Sequence, residues 1–195
     1  MKKSSFGFTT IEFLIVIGVI SSVGLVIVGI LTSALRGTNK TNIVNTLRQN
    51  GNQAIIQMTK TIEYAKSFDG ISVENPAEKS AYYTVNCVQT PVPPPNPTPT
   101  PTHYQYLQIT AIDGGKITYS CTSDYIASNG AALIDTQSVK SIPGSCWFTC
   151  AQERVTSNPI IGIKFQLMQK ATSGYVENTA SIPFETSVTF RNLIK

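Results

Sequence analysis

From Phe13 to Leu35 the chain runs 23 residues without a charge, dominated by Ile, Val, Leu and Gly. At about 1.5 Å of rise per residue, a helix of that length spans ~34 Å, enough for the hydrocarbon core of a bilayer. The apolar run then thins into a stripe, with Ile43, Leu47, Ala54, Met58, Ile62 and Ala65 at three-, four- and seven-residue spacings. That spacing predicts a continuing helix with one buried face. Gly37, Gly51 and several Asn residues are poor helix formers, and Gly37-Thr38-Asn39 predicts fraying or a break.

Beyond Ser67 the period changes from that of a helix to that of strands. The stretch AYYTVNCVQ reads as a strand and leads into TPVPPPNPTPTPTH, whose proline-rich part, residues 91–101, predicts solvated polyproline II. YQYLQITAIDGGKITYSCTS alternates around Asp113-Gly114-Gly115, a tight-turn signal for a hairpin. NPIIGIKFQLMQ places Ile161, Ile163, Phe165 and Leu167 on one face; SIPFETSVTFRNL does the same with Ile182, Phe184, Val188 and Phe190. KATSGYVENTA joins these two as a long hairpin connection. The expected fold class is α+β, a long N-terminal helix packed on a C-terminal antiparallel sheet.

Charge narrows the possible functions. The net +4 of the 195 residues divides unevenly: residues 1–66 carry +5 and residues 67–195 carry −1. The head therefore lacks the basic bulk of a nucleic-acid-binding domain. No G-x-S-x-G, phosphate-binding glycine loop or metal-ligand helix occurs, so the sequence points to no enzyme, no cofactor and no metal. His103, the single histidine, reads as a solvated loop residue, and Asp113 and Asp135 as turn and loop or strand-end residues. Trp147 and Phe148 read as core or interface.

Cys87, Cys121, Cys146 and Cys150 fit an exported domain oxidised outside the cytoplasm. Four cysteines allow three pairings. The pairing expected here is Cys87–Cys121, closing the proline-rich excursion, with Cys146–Cys150. In the chain-entropy model these are worth roughly 4 and near 2 kcal/mol. Cysteines four apart on an extended strand stand about 13 Å apart, so the second pair requires CWFTC to turn. A zinc site lacks a matching second ligand pair after C-x₃-C.

The remaining oddity is Glu12, an acid at the mouth of the apolar run. A secretory signal with Lys2 and Lys3 as its basic start would have an apolar region of about 7–15 residues, shorter than this one. A plain single-pass anchor leaves the acid unexplained. Gly7-Phe8-Thr9-Thr10-Ile11-Glu12, after a short basic leader and before an apolar helix, resembles the prepilin peptidase site of type IV pilins and type II secretion pseudopilins. Thr10 stands where that family usually has an aliphatic residue, and Gly29 where many major pilins carry a kinking proline.

The resemblance implies cleavage after Gly7, N-methylation of Phe8, and pairing of the Glu12 carboxylate with the N-terminal amine of a neighbouring subunit. It divides the chain into a leader (1–7), a transmembrane and assembly helix (8–36), an amphipathic extension (37–66) and an extracytoplasmic β-rich head (67–195). FETSVTFRN and ALIDTQSV…IIGIKFQL are similar to the larger minor pilins of the J and W types. The implied partners are other pilins or pseudopilins, the prepilin peptidase/methylase and an inner-membrane assembly platform. The implied location is the cytoplasmic membrane, then a periplasmic or extracellular filament. The alternative from another class is a monomeric membrane-anchored extracytoplasmic binding or adhesion protein, which would keep its leader.

Overall fold

A computed structural model describes residues 7, 9–76, 83–88, 103–122, 124–170 and 180–191. The proline-rich insert 91–101, the connection 171–179 and the leader residues 1–6 with Phe8 lie outside the described residues.

Helix α1 runs from Thr10 to Glu63 without interruption. The break expected at Gly37-Thr38-Asn39 does not occur. Thr38 and Thr41 each donate their hydroxyl to a carbonyl one turn earlier, on Ala34 and Gly37, both at 3.0 Å. One interior glycine costs about 1 kcal/mol, whereas restarting a helix repeats an unfavourable nucleation. Continuity is the cheaper outcome. At its C-terminus the Glu63 carbonyl accepts the Arg191 N–H (2.8 Å), and the two side chains form an ion pair at 2.5 Å.

The chain divides into two compact units, residues 1–42 and 43–195. In the first, the side chains of α1 are exposed almost throughout, apolar ones included. In the second, Leu47, Gly51, Ala54, Met58 and Ile62 of α1 are buried, Ala65 just beyond it is buried too, and Ile43 packs against them half-buried. The stripe read from the sequence is therefore the packed face. Gly51 completes it because a Cβ there would overlap the ring of Phe184. Its lack of a side chain lets the helix approach the sheet.

A five-stranded antiparallel sheet, in chain order, contains β1 (Ser67–Ser72), β2 (Tyr106–Thr110), β3 (Lys116–Cys121), β4 (Ile126–Ser128) and β5 (Ala131–Ala132). The Asp113-Gly114-Gly115 turn joins β2 to β3 as expected, with Thr110 opposite Lys116 and Gly114 at φ +86°. A second sheet contains β6 (Val139–Ser141), β7 (Trp147–Ala151), β8 (Ile160–Gln169) and β9 (Ser181–Thr189). β9 lines one edge of β8, while β6 and β7 share the other edge at opposite ends. Ile161, Ile163, Phe165 and Leu167 of β8 are fully buried, as their alternation predicts.

Three sequence expectations are corrected. The head has two sheets rather than one, linked where Tyr104 and Phe148 exchange main-chain hydrogen bonds of 2.9 and 2.7 Å. Alternation assigns a face to each strand but does not say which edge it will pair. The expected strand over AYYTVNCVQ is, in its described part, a crossing segment with two isolated bridges, Thr84 to Ile71 and Val88 to Gln152.

The disulfides are Cys87–Cys150 and Cys121–Cys146, not Cys87–Cys121 and Cys146–Cys150. Trp147–Ala151 is extended, so Cys146 and Cys150 project along one face, too far apart to bond to each other. Each reaches across instead: Cys150 to the crossing segment and Cys121, at the end of β3, to Cys146, with Cα separations of 5.6 and 5.4 Å.

Candidate functional site

The motif residues sit at the start of α1. Gly7 is exposed, with nothing within 4 Å of the position a Cβ would take. Phe8 lies outside the described residues. Thr9 caps the helix: its hydroxyl accepts the Glu12 N–H at 3.4 Å and its carbonyl accepts the Phe13 N–H at 3.1 Å. Glu12 is thus in the third helical position of a T-x-x-E pattern, where an acid also complements the positive end of the helix dipole. This local role was visible in Thr9-Thr10-Ile11-Glu12 and is independent of any partner.

The Glu12 side chain is exposed, and among the described residues its carboxylate has no bonded partner. Around it Ile11, Phe13, Leu14 and Ile15 are at least 60% exposed. None of the most apolar 18-residue stretch of α1 is buried, and the helix is long and apolar enough to cross a membrane. The result is an anionic group beside an uncovered apolar rod. That arrangement can align a cation on a second apolar helix.

In the head, His103 is exposed but not simply solvated, because its ring stacks on Trp147 at 4.4 Å between centroids. Lys164 lies 5.5 Å from the centre of the same indole and pairs with Glu185 at 3.1 Å. Trp147, Lys164 and Glu185 are direct cross-strand neighbours on β7, β8 and β9, which makes the cluster one row across the sheet. Such contacts stabilise a sheet face by about 0.2–1 kcal/mol each.

Asp113 accepts the Gly115 N–H at 2.9 Å and serves the hairpin turn. Asp135 precedes β6, where it accepts the Ser138 hydroxyl and the Gln137 N–H (3.0 Å). The Ser138 hydroxyl first, then the Gln137 N–H, hold the Asp135 carboxyl below its usual range. A depressed folded-state pKa adds stability that is complete above the unfolded value, about 3.9, and is lost as pH falls through the folded value. Asp135→Asn should therefore lower the melting temperature at pH 7 and converge with the wild type once the pH falls below the depressed folded-state value. A constant difference across that range would show that the charge contributes nothing.

No family profile, characterised protein or solved structure matches this chain.

Proposed function

We propose that the chain is a filament subunit of the type IV pilin and pseudopilin kind, cleaved after Gly7 and N-methylated at the new terminus, Phe8. The observation that carries this reading is the Glu12 carboxylate, without a bonded partner among the described residues, at the first turn of a helix whose apolar N-terminal stretch is unburied. A helix that only anchors needs no acid there, and each charge drawn into the apolar region carries a cost. A neighbouring subunit's ammonium would offset that cost. An uncovered helix in one unit and a separate packed head in the other suit a protein held first in a membrane and then in a helical core.

Intact-mass analysis of the protein from its native membrane tests the processing. The expected chain begins at Phe8 and carries one added methyl group, and a bulky substitution of Gly7 leaves the leader attached. A mature chain that retains Met1 overturns the proposal and favours the monomeric anchored protein.

The subunit is minor, placed at the tip or in an initiating complex. A two-sheet head with two disulfides and a proline-rich insert is more than the stacking of helices requires. A tip subunit leaves one face of that head without a neighbour. Quantitative mass spectrometry of sheared filaments should find a few copies per filament, and deletion of the gene should reduce filament number. Finding this chain as the most abundant filament protein would reassign it as the major subunit.

A further inference from the structure

The five-stranded sheet turns Leu107, Ile109 and Tyr119 into the core and leaves a second face outside. On that second face lies a cavity of about 700 Å³, within the range of about 300–1,000 Å³ usual for small-molecule sites. Its floor is formed by Tyr106 and Gln108 of β2 and by Thr118 and Ser120 of β3. These are direct cross-strand partners, Tyr106 with Ser120 and Gln108 with Thr118. One wall is Tyr83 from the crossing segment; another comes from Asn75 and Pro76 just after β1.

Tyr83 is held at its root: its Cβ lies against Gly70, where any added Cβ would overlap it, and its hydroxyl lies beside Thr118. Gly70, Gln108 and Thr118 form one row across β1, β2 and β3, so the Tyr83 side chain lies along that row. Gly70 also has φ +129° at a bulge in β1, a conformation that suits glycine. The wall is built into the fold.

Among the described residues the lining contains no Lys, Arg, Asp or Glu. Among the described residues one carboxylate, Asp69, belongs to the same network, where it accepts the Thr110 and Ser67 hydroxyls at 2.7 and 2.9 Å. Phosphate, sulfate or carboxylate groups would meet that carboxylate without a compensating cation among the described lining residues. A peptide bound by strand addition needs a free sheet edge, but β2 is paired on both sides and the cavity lies on its face. What remains is a ligand rich in hydroxyls with apolar C–H surfaces.

Two tyrosine rings supply flat apolar contact, and the amide and hydroxyl groups supply both donors and acceptors. The Gln108 amide donates to Thr118 Oγ1 at 3.2 Å. Among the described residues its carbonyl oxygen and the Ser120 hydroxyl make no other bond. We infer that this cavity binds a neutral oligosaccharide, with Tyr83 and Tyr106 against the sugar faces and Gln108 and Ser120 hydrogen-bonded to its hydroxyls. The inference rests on the head alone and stands whether or not the chain enters a filament.

The test applies the full-length chain in detergent micelles to a printed array of neutral, sialylated and sulfated oligosaccharides. Capture is expected on neutral glycans. For the strongest of them, Tyr106→Ala and Ser120→Arg should each weaken binding about tenfold or more, because one removes a contact face and the other fills the cavity. Trp147→Ala, on the other sheet, should leave capture unchanged. Non-reducing peptide mapping confirms that each variant keeps both disulfides; Ser120 is partly exposed, so its replacement reads the site even where Tyr106→Ala misfolds. The inference is overturned by an array with no neutral capture, by equal capture of acidic glycans, by binding that survives Ser120→Arg, or by loss on Trp147→Ala.

Discussion

Glu12→Ala and Glu12→Gln are both expected to insert and fold like the native chain, yet to be depleted at least about tenfold from sheared filaments. The pair of variants separates two roles that one acid can fill. As the third residue of a capping box, Glu12 supports the first turn of α1, and glutamine serves nearly as well there. As an ionic partner it needs its charge. Two unit charges at about 4 Å attract by roughly 4 kcal/mol at an effective dielectric of 20, before desolvation is subtracted. Removing one partner then leaves the other uncompensated in an apolar core. A glutamine variant that assembles like wild type would reduce Glu12 to a cap. If both variants enter filaments at the wild-type ratio, pairing between subunits is wrong. Neither change should block insertion, because each lowers the cost of placing this turn near lipid.

What could be read from the sequence divides along the range of the interactions involved. The stripe on α1 and the inward faces of β8 and β9 follow from period alone, so Leu47, Met58, Phe165 and Phe184 are buried as expected. Gly51 belongs to the same stripe but carries no hydrophobic signal, since its reason is Phe184, far along the chain. The Asp113-Gly114-Gly115 hairpin is local and was legible; the division into two sheets depends on edge choice and was not. At the helix start, Gly7, Phe8 and Glu12 stand out as a motif. The capping role of Thr9 was equally visible and lay hidden behind that motif. The cavity on the first sheet is the least legible feature. Tyr106, Gln108, Thr118 and Ser120 read as ordinary solvent-facing strand positions, and only the crossing of Tyr83 above them encloses a volume. Their one signal in sequence is that all four are uncharged polar side chains.

Loss of either disulfide is expected to be the largest single blow to the head's stability. The Cys87–Cys150 bridge spans a sequence separation of 63 and Cys121–Cys146 one of 25. In the chain-entropy model these loops are worth about 4.3 and about 3.5 kcal/mol. Each figure is a sizeable share of the ~5–15 kcal/mol typical of a whole domain. The two bridges also converge on β7 and its approach, one holding the crossing segment there and the other the end of β3. Replacing both cysteines of one bridge by alanine should therefore lower the denaturation midpoint strongly, more for Cys87 and Cys150. The connectivity itself has a direct test. Chymotryptic cleavage after Trp147 or Phe148, with free thiols blocked and disulfides intact, separates the peptide holding Cys146 from that holding Cys150. The expected products link Cys146 to the Cys121 peptide and Cys150 to the Cys87 peptide. A product in which the Cys146 and Cys150 peptides remain joined would require CWFTC to turn back on itself, and the extended β7 strand would be wrong. The pairing matters for the outer cavity as well, because Tyr83 enters its wall only four residues before Cys87. Cleaving Cys87–Cys150 alone should release that wall and raise the reactivity of the Tyr83 ring toward nitration, while Tyr119, buried in the core, stays protected until the head unfolds.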